Sequence, residues 1–151
     1  MTLAQASVTP ELHLLLVEDN PSDAGLLEEL LEDGHHRIAL YCTDNGHDAM
    51  NFLQRQDKYR IAPSPDAILL DLGLPRVNGY EVLSRLQKTS ELSKIPVIVL
   101  TTSRDPKDRE LCLSLGAKGF LSKPYNLEDY EVMIDDLTNN ILPTVCHKRA
   151  A

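Results

Sequence analysis

The sequence predicts an α/β fold in which five βα units build a doubly wound parallel sheet, and two observations carry that prediction. Apolar blocks alternate with helix-period segments from one end of the chain to the other, the pattern of strands wrapped by helices. Several of these blocks are continuous apolar runs, as expected where helices cover both faces of a sheet.

The strand candidates are Leu12–Val17, Ile38–Thr43, Ala67–Asp71, Ile95–Leu100 and Lys118–Leu121. After the first, Leu26, Leu27, Leu30 and Leu31 form one apolar stripe that stops before Gly34, a helix with a glycine stop. The second helix follows Asp44 or Asn45 and buries Ala49, Phe52 and Leu53; the third buries Tyr80, Leu83 and Leu86. Asp105-Pro106 reads as an N-cap followed by proline in the first turn, so the fourth helix runs from there to Gly116 with Leu111, Cys112 and Leu115 inward. Asn126 can cap the fifth, whose inward stripe is Leu127, Tyr130, Met133, Ile134 and Leu137, and Pro143 ends any helix. The stretch Asp57–Pro65 reads as surface loop. One domain over 10–142 is expected, with tails at 1–9 and 143–151.

Composition narrows the function. With 42% hydrophobic and 25% charged residues among 151, the chain has the make-up of one globular domain. No apolar run approaches the roughly 20 residues of a membrane helix, and Met1–Pro10 lacks the regions of a secretory signal, so a cytoplasmic protein with no membrane partner is expected. A formal net charge of −8 disfavours nucleic acid, which needs a basic face to release counterions; Lys148 and Arg149 in the tail are too few to supply one. Cys42, Cys112 and Cys146 lack metal-like spacing, and the first two read as small core residues in a reducing compartment.

Open parallel sheets place function beyond the carboxyl ends of their strands, and the residues ending the apolar blocks form a coherent set. Strand one leads into Glu18-Asp19, strand three into Asp71, strand four into Thr101-Thr102 and strand five into Lys123-Pro124. Singly, each has an ordinary explanation: Glu18-Asp19-Asn20-Pro21 as a helix cap, Lys123 as an exposed lysine before a turn. Together they put three carboxylates, a hydroxyl and an ammonium in one place. Clustered carboxylates raise one another's pKa unless a cation joins them, and hard oxygen ligands suit Mg²⁺. Aspartate is a covalent acceptor of phosphate, so Asp71 is the candidate nucleophile, with Lys123 and Thr101 placed to contact phosphoryl oxygens.

Val17-Glu18-Asp19-Asn20, Leu70-Asp71-Leu72-Gly73-Leu74-Pro75 with Asn78-Gly79, Leu100-Thr101-Thr102, and Gly116-Ala117 leading to Lys123-Pro124 resemble the response regulator receiver family from about Leu12 to Asn140. The resemblance implies a flavodoxin-like sheet of strand order 2-1-3-4-5. It implies that Asp71 takes a phosphoryl group from a histidine kinase, and that Mg²⁺ is held by Asp19, Asp71 and the backbone carbonyl of Gly73, with Glu18 acting through water. It pairs Thr101 with Phe120 as a switch, in which the hydroxyl moves to the phosphoryl group and the ring turns inward. Gly73 stands where many receivers carry a larger polar residue, and Phe120 where a tyrosine is commoner.

No output domain is expected, since only about ten residues follow the fifth helix. The chain then acts by binding a protein rather than as an enzyme, either as a phosphorelay intermediate or as a dimerising regulator. The loop Asp57–Pro65 and the tail Ile141–Val145 are similar to small regulators that partner phytochrome-type histidine kinases. The apolar tail motivates a homodimer through the fourth helix, fifth strand and fifth helix. Two rivals fit less well: a haloacid-dehalogenase-type phosphatase needs a second aspartate at the place Gly73 occupies, and a flavodoxin-type flavin carrier would meet Glu18-Asp19 where its phosphate binds.

Overall fold

The computed structural model describes residues 12–33 and 37–146. Five strands, β1 (Leu12–Val17), β2 (Ile38–Thr43), β3 (Ala67–Leu70), β4 (Val97–Thr101) and β5 (Gly119–Ser122), form one sheet in the order β2-β1-β3-β4-β5. Every pairing is parallel, so all carboxyl ends lie on one edge. Val17 is in register with Thr43 on one side and Leu70 on the other. The residues that follow, Glu18, Asp44 and Asp71, are thereby brought abreast. The flavodoxin-like order implied by the resemblance is the one observed.

The helices are α1 (Pro21–Asp33), α2 (Gly46–Gln54), α3 (Gly79–Lys88), α4 (Pro106–Ser114), α5 (Leu127–Asp136) and α6 (Leu142–Val145), with a 3₁₀ turn at Asp57–Tyr59. A side-chain oxygen from Asn20, Asn45, Asn78, Asp105 or Asn126 accepts a backbone N–H in the first turn of each of the first five. Strand side chains alternate between faces, which divides the core in two. On one face Leu15, Val17, Ile68, Leu70 and Val99 pack with Ala49, Phe52, Leu83, Leu86 and Cys112. On the other Leu14, Leu16, Leu69, Ile98 and Leu100 pack with Leu27, Leu31, Tyr130, Ile134 and Leu137.

Several expectations need correction. β3 stops at Leu70, β4 is shifted to Val97–Thr101, and β5 to Gly119–Ser122. Leu111 and Leu127, expected inward, are 46% and 53% exposed. Cys112, about 100° round α4 from Leu111, takes the inward position, and Leu127 opens α5 directly after its cap. Leu53, Tyr80 and Leu115 are half-buried, and Val82 joins the inward face of α3. Asp57–Pro65 is not wholly surface: it contains the 3₁₀ turn, and Pro65 is buried. Cys42 is exposed on the edge strand β2, whereas Cys146 is buried.

Pro143 does not end the helix. A π-helical turn, Leu137–Ile141, follows α5 and runs into α6, whose second residue is Pro143. Proline's fixed φ suits a helical first turn, and only an interior donor is lost. Leu142 is fully buried and Cys146 nearly so in the second core cluster, with Ile141 and Val145 packed against it. The segment expected as an exposed apolar tail is therefore core. Gly34, the tail at 1–9, and Lys148 and Arg149 lie outside the described residues.

Candidate functional site

The carboxyl edge gathers four of the buried polar side chains: Glu18, Asp71, Thr101 and Lys123 are 3%, 8%, 4% and 6% exposed. Asp19, next to Glu18, remains exposed. Carboxylate oxygens of Glu18, Asp19 and Asp71 all lie within 4.8 Å of one another. The Lys123 ammonium enters from the β5 side, its Nζ 2.6 Å from Glu18 Oε1, 3.0 Å from Asp23 Oδ2 and 3.6 Å from Asp71 Oδ2.

Backbone donors fix the carboxylates. The Gly73 N–H donates to Asp71 Oδ1 at 3.2 Å, and the Asn20 N–H to Glu18 Oε2 at 3.2 Å. The main chain holds the strand ends together as well: Asp71 N–H donates to the Val17 carbonyl at 3.0 Å, and Lys123 N–H to the Thr101 carbonyl at 2.6 Å. Thr101 Oγ1 accepts from the Ser103 N–H at 3.2 Å.

Burial pushes the Glu18 carboxyl up, Lys123 pulls it down and the charge of Asp71 pushes it up again, leaving it raised to about 7. Burial opposes the Lys123 charge, but hydrogen bonds to Glu18 and Asp23 outweigh it and hold the ammonium above its ordinary value. Four carboxylate groups, Glu18, Asp19, Asp23 and Asp71, with one lysine among them remain short of positive charge. Oxygen donors so close together suit a hard divalent cation, and Glu18, Asp19 and Asp71 are the residues that could hold one. A cleft of about 360 Å³, lined in part by Glu18, Asp19, Thr43, Asp44 and Tyr59, opens beside them.

Of the residues expected at the site, Glu18, Asp19, Asp71 and Lys123 come together, and Thr101 ends the adjoining strand. Phe120 is half-buried against the first core cluster. Thr102 is exposed. Gly73 is exposed too, and a Cβ there would meet only Asp71 Oδ1, at 3.9 Å. Asp23 was not expected. It lies in the first turn of α1, three residues after the Asn20 cap, and an acid there reads as helix capping until Lys123 is seen to reach it.

The chain matches the description "Response regulator receiver domain" over residues 14–135. It belongs to the response regulator receiver family. The receiver is 39% identical over 132 residues to the protein named Response regulator Rcp1 of Synechocystis sp., covering 87% of this chain and 90% of that one. Among solved structures it is similar to the Mn²⁺-bound form of Rcp1, with a TM-score of 0.81, 38% identity, and coverage of 88% of this chain and 96% of that one. It is also similar to the phosphorylated cyanobacterial phytochrome response regulator RcpA, with a TM-score of 0.79, 31% identity, and coverage of 86% and 95%. A third, the bacteriophytochrome response regulator AtBRR, gives a TM-score of 0.70, 37% identity, and coverage of 85% and 94%. This receiver is a response regulator whose acidic cluster fits a divalent ion. No helix among its described residues is long and apolar enough to cross a membrane.

Proposed function

We propose that Asp71 accepts a phosphoryl group from the phosphohistidine of a sensor histidine kinase, with Mg²⁺ bound alongside. The observation that carries this reading is the buried Asp71 carboxylate, with Lys123 3.6 Å away and the Glu18 and Asp19 oxygens within 4.8 Å. A carboxylate oxygen of Asp71 attacks phosphorus, the P–N bond breaks, and the imidazole leaves and takes up a proton. Lys123 places its charge on a phosphoryl oxygen, and the Thr101 hydroxyl donates to another. Gly73 N–H holds one oxygen of Asp71 and so orients the other. Asp19, Asp71 and the Gly73 carbonyl would hold Mg²⁺, with Glu18 reached through water; when bound, the ion offsets negative charge on the phosphoryl oxygens. Thr101 and Phe120 form the switch pair.

Incubation with acetyl phosphate and Mg²⁺ tests this, read by intact mass. Wild type gains one phosphoryl group, and Asp71→Asn gains none. Equal labelling of the two proteins overturns the assignment.

For a partner, we infer a phytochrome-type kinase, because RcpA and AtBRR carry such partners in their names. The net charge of −8 runs against the basic face that nucleic acid needs and supports a protein as the recipient of the signal. The homodimer loses its first motive, since the segment after α5 is core. It retains another: Leu111, Leu113, Leu127 and Val132 on α4 and α5 are 41–66% exposed. Light scattering with and without beryllofluoride decides it, and a monomeric mass in both conditions excludes the dimer.

A further inference from the structure

A hydrogen-bonded chain of three side chains ends on the strap, residues 102–105, that joins Thr101 at the end of β4 to α4, and the phosphotransfer chemistry does not use it. Tyr80, the second residue of α3, donates its hydroxyl to Asp108 Oδ1 at 2.7 Å. Ser103 Oγ donates to the other oxygen, Asp108 Oδ2. The N–H of the same Ser103 holds Thr101 Oγ1, and its carbonyl accepts from Ser122 Oγ on β5 at 2.9 Å. Two hydroxyl donors on one carboxylate make charge-assisted bonds, stronger than neutral ones. They keep the Asp108 carboxyl below its ordinary value, Ser103 contributing most.

Placement gives the chain its consequence. α3 begins at Gly79, packed so tightly on the Asp71 loop that an added Cβ would lie 2.5 Å from the Asp71 carbonyl oxygen. Tyr80 therefore rides on the segment that bears the nucleophile. Asp108 stands in the first turn of α4, whose Leu111 and Leu113 are 46% and 41% exposed. The strap from β4 to α4 is tied at three points: to α4 through Asp108, to β5 through Ser122, and, where it leaves β4, to Lys123, whose N–H reaches the Thr101 carbonyl.

We propose that Asp108 is a positioning residue: with Tyr80 and Ser103 it latches the strap so that Thr101 Oγ1 stays in its local turn, and phosphorylation of Asp71 works against this latch. The proposal rests on the reading of Asp71 and Thr101 above. Moving the Thr101 hydroxyl toward a phosphoryl oxygen breaks its bond from Ser103 N–H, which the latch opposes by fixing Ser103. Release of Ser103 loosens a contact of α4, so the same event reaches the exposed side chains of that helix, Leu111 and Leu113 among them. Such coupling is reciprocal: weakening the latch must strengthen binding at Asp71.

The test uses the full chain and the variants Tyr80→Phe, Asp108→Ala and Ser103→Ala, each first shown to unfold cooperatively. In titration with beryllofluoride and Mg²⁺, followed by amide resonances, Tyr80→Phe and Asp108→Ala reach half-saturation at a concentration about tenfold to a hundredfold lower than wild type, as expected for losing a bond to a charged acceptor. A residue that only supports the fold would weaken binding. Unchanged or weaker binding in both variants overturns the latch. A second measurement needs no phosphoryl mimic: hydrogen exchange at the backbone amide of position 103 accelerates in all three variants, and unchanged exchange overturns the proposal. Should wild type bind no beryllofluoride, the Asp71 reading fails, while the exchange measurement still decides whether the latch exists.

Discussion

Gly79 and Gly73 both lie close to Asp71 in sequence, yet their surroundings demand opposite outcomes on substitution. A Cβ at Gly79 would lie 2.5 Å from the Asp71 carbonyl oxygen and 2.6 Å from the Leu72 Cα, both backbone atoms that cannot swing aside. Gly79→Ala is expected to cost about 1–3 kcal/mol in urea unfolding, the range for overpacking, and to slow labelling by acetyl phosphate because the Asp71 loop must shift. Gly73→Ala places its Cβ 3.9 Å from Asp71 Oδ1 and meets nothing else within reach. Its stability is expected to stay within about 0.5 kcal/mol of wild type. Equal destabilisation of the two would show that the loop, rather than the approach of α3 to it, sets the constraint. The nucleophile itself was legible in the sequence because it ends a continuous apolar strand. The partner Asp23 was not, because an acid in a first helical turn has a sufficient local explanation and its contact with Lys123 spans 100 positions.

Elements were legible where local signals agreed with tertiary packing. β1 and β2 have the expected bounds because apolar runs bracket them, and Asn45, Asp105 and Asn126 cap the helices they were expected to open. The end of α5 was not legible. Pro143 is a strong local stop, yet Leu142 has a place in the second core cluster, and burying it outweighs the donor that proline lacks. That inverts the expectation for the segment. Leu142→Ala should destabilise by about 2–5 kcal/mol, the range for a fully buried leucine, measured by urea unfolding at constant slope. A change under about 0.5 kcal/mol would mean that residues beyond α5 are dispensable for folding. Leu111 and Leu127 erred in the other direction. Their spacing suited an inward stripe, but α4 and α5 each present apolar side chains on the outer side as well, and periodicity cannot separate a second face from the first.

At the scale of the whole molecule, five parallel strands and the helix starts that follow them concentrate negative charge on one edge, and stability should depend on pH there. Glu18 has a folded pKa of about 7 against an ordinary 4.5. Between those values the native state holds this proton more tightly than the unfolded chain does, so stability falls as pH rises from 4.5 to 7 and is level beyond. Other shifted groups act elsewhere. Lys123 is raised, so its contribution is present at neutral pH and lost only in strong base. Asp108 is lowered, so its contribution is lost only as pH drops below the ordinary carboxylate range. Urea unfolding in chelator across the window should show a decline on the order of 2 kcal/mol, one pKa unit being worth about 1.36 kcal/mol. Glu18→Gln should remove most of that slope. Excess Mg²⁺ favours the ionised carboxylates and stabilises the native state by binding it, so its stabilising effect should grow from pH 5 toward pH 8. If wild type without a divalent ion instead gains stability from pH 4.5 to 7, Glu18 is held as an anion by Lys123 alone, and the carboxylate cluster needs no cation to balance it.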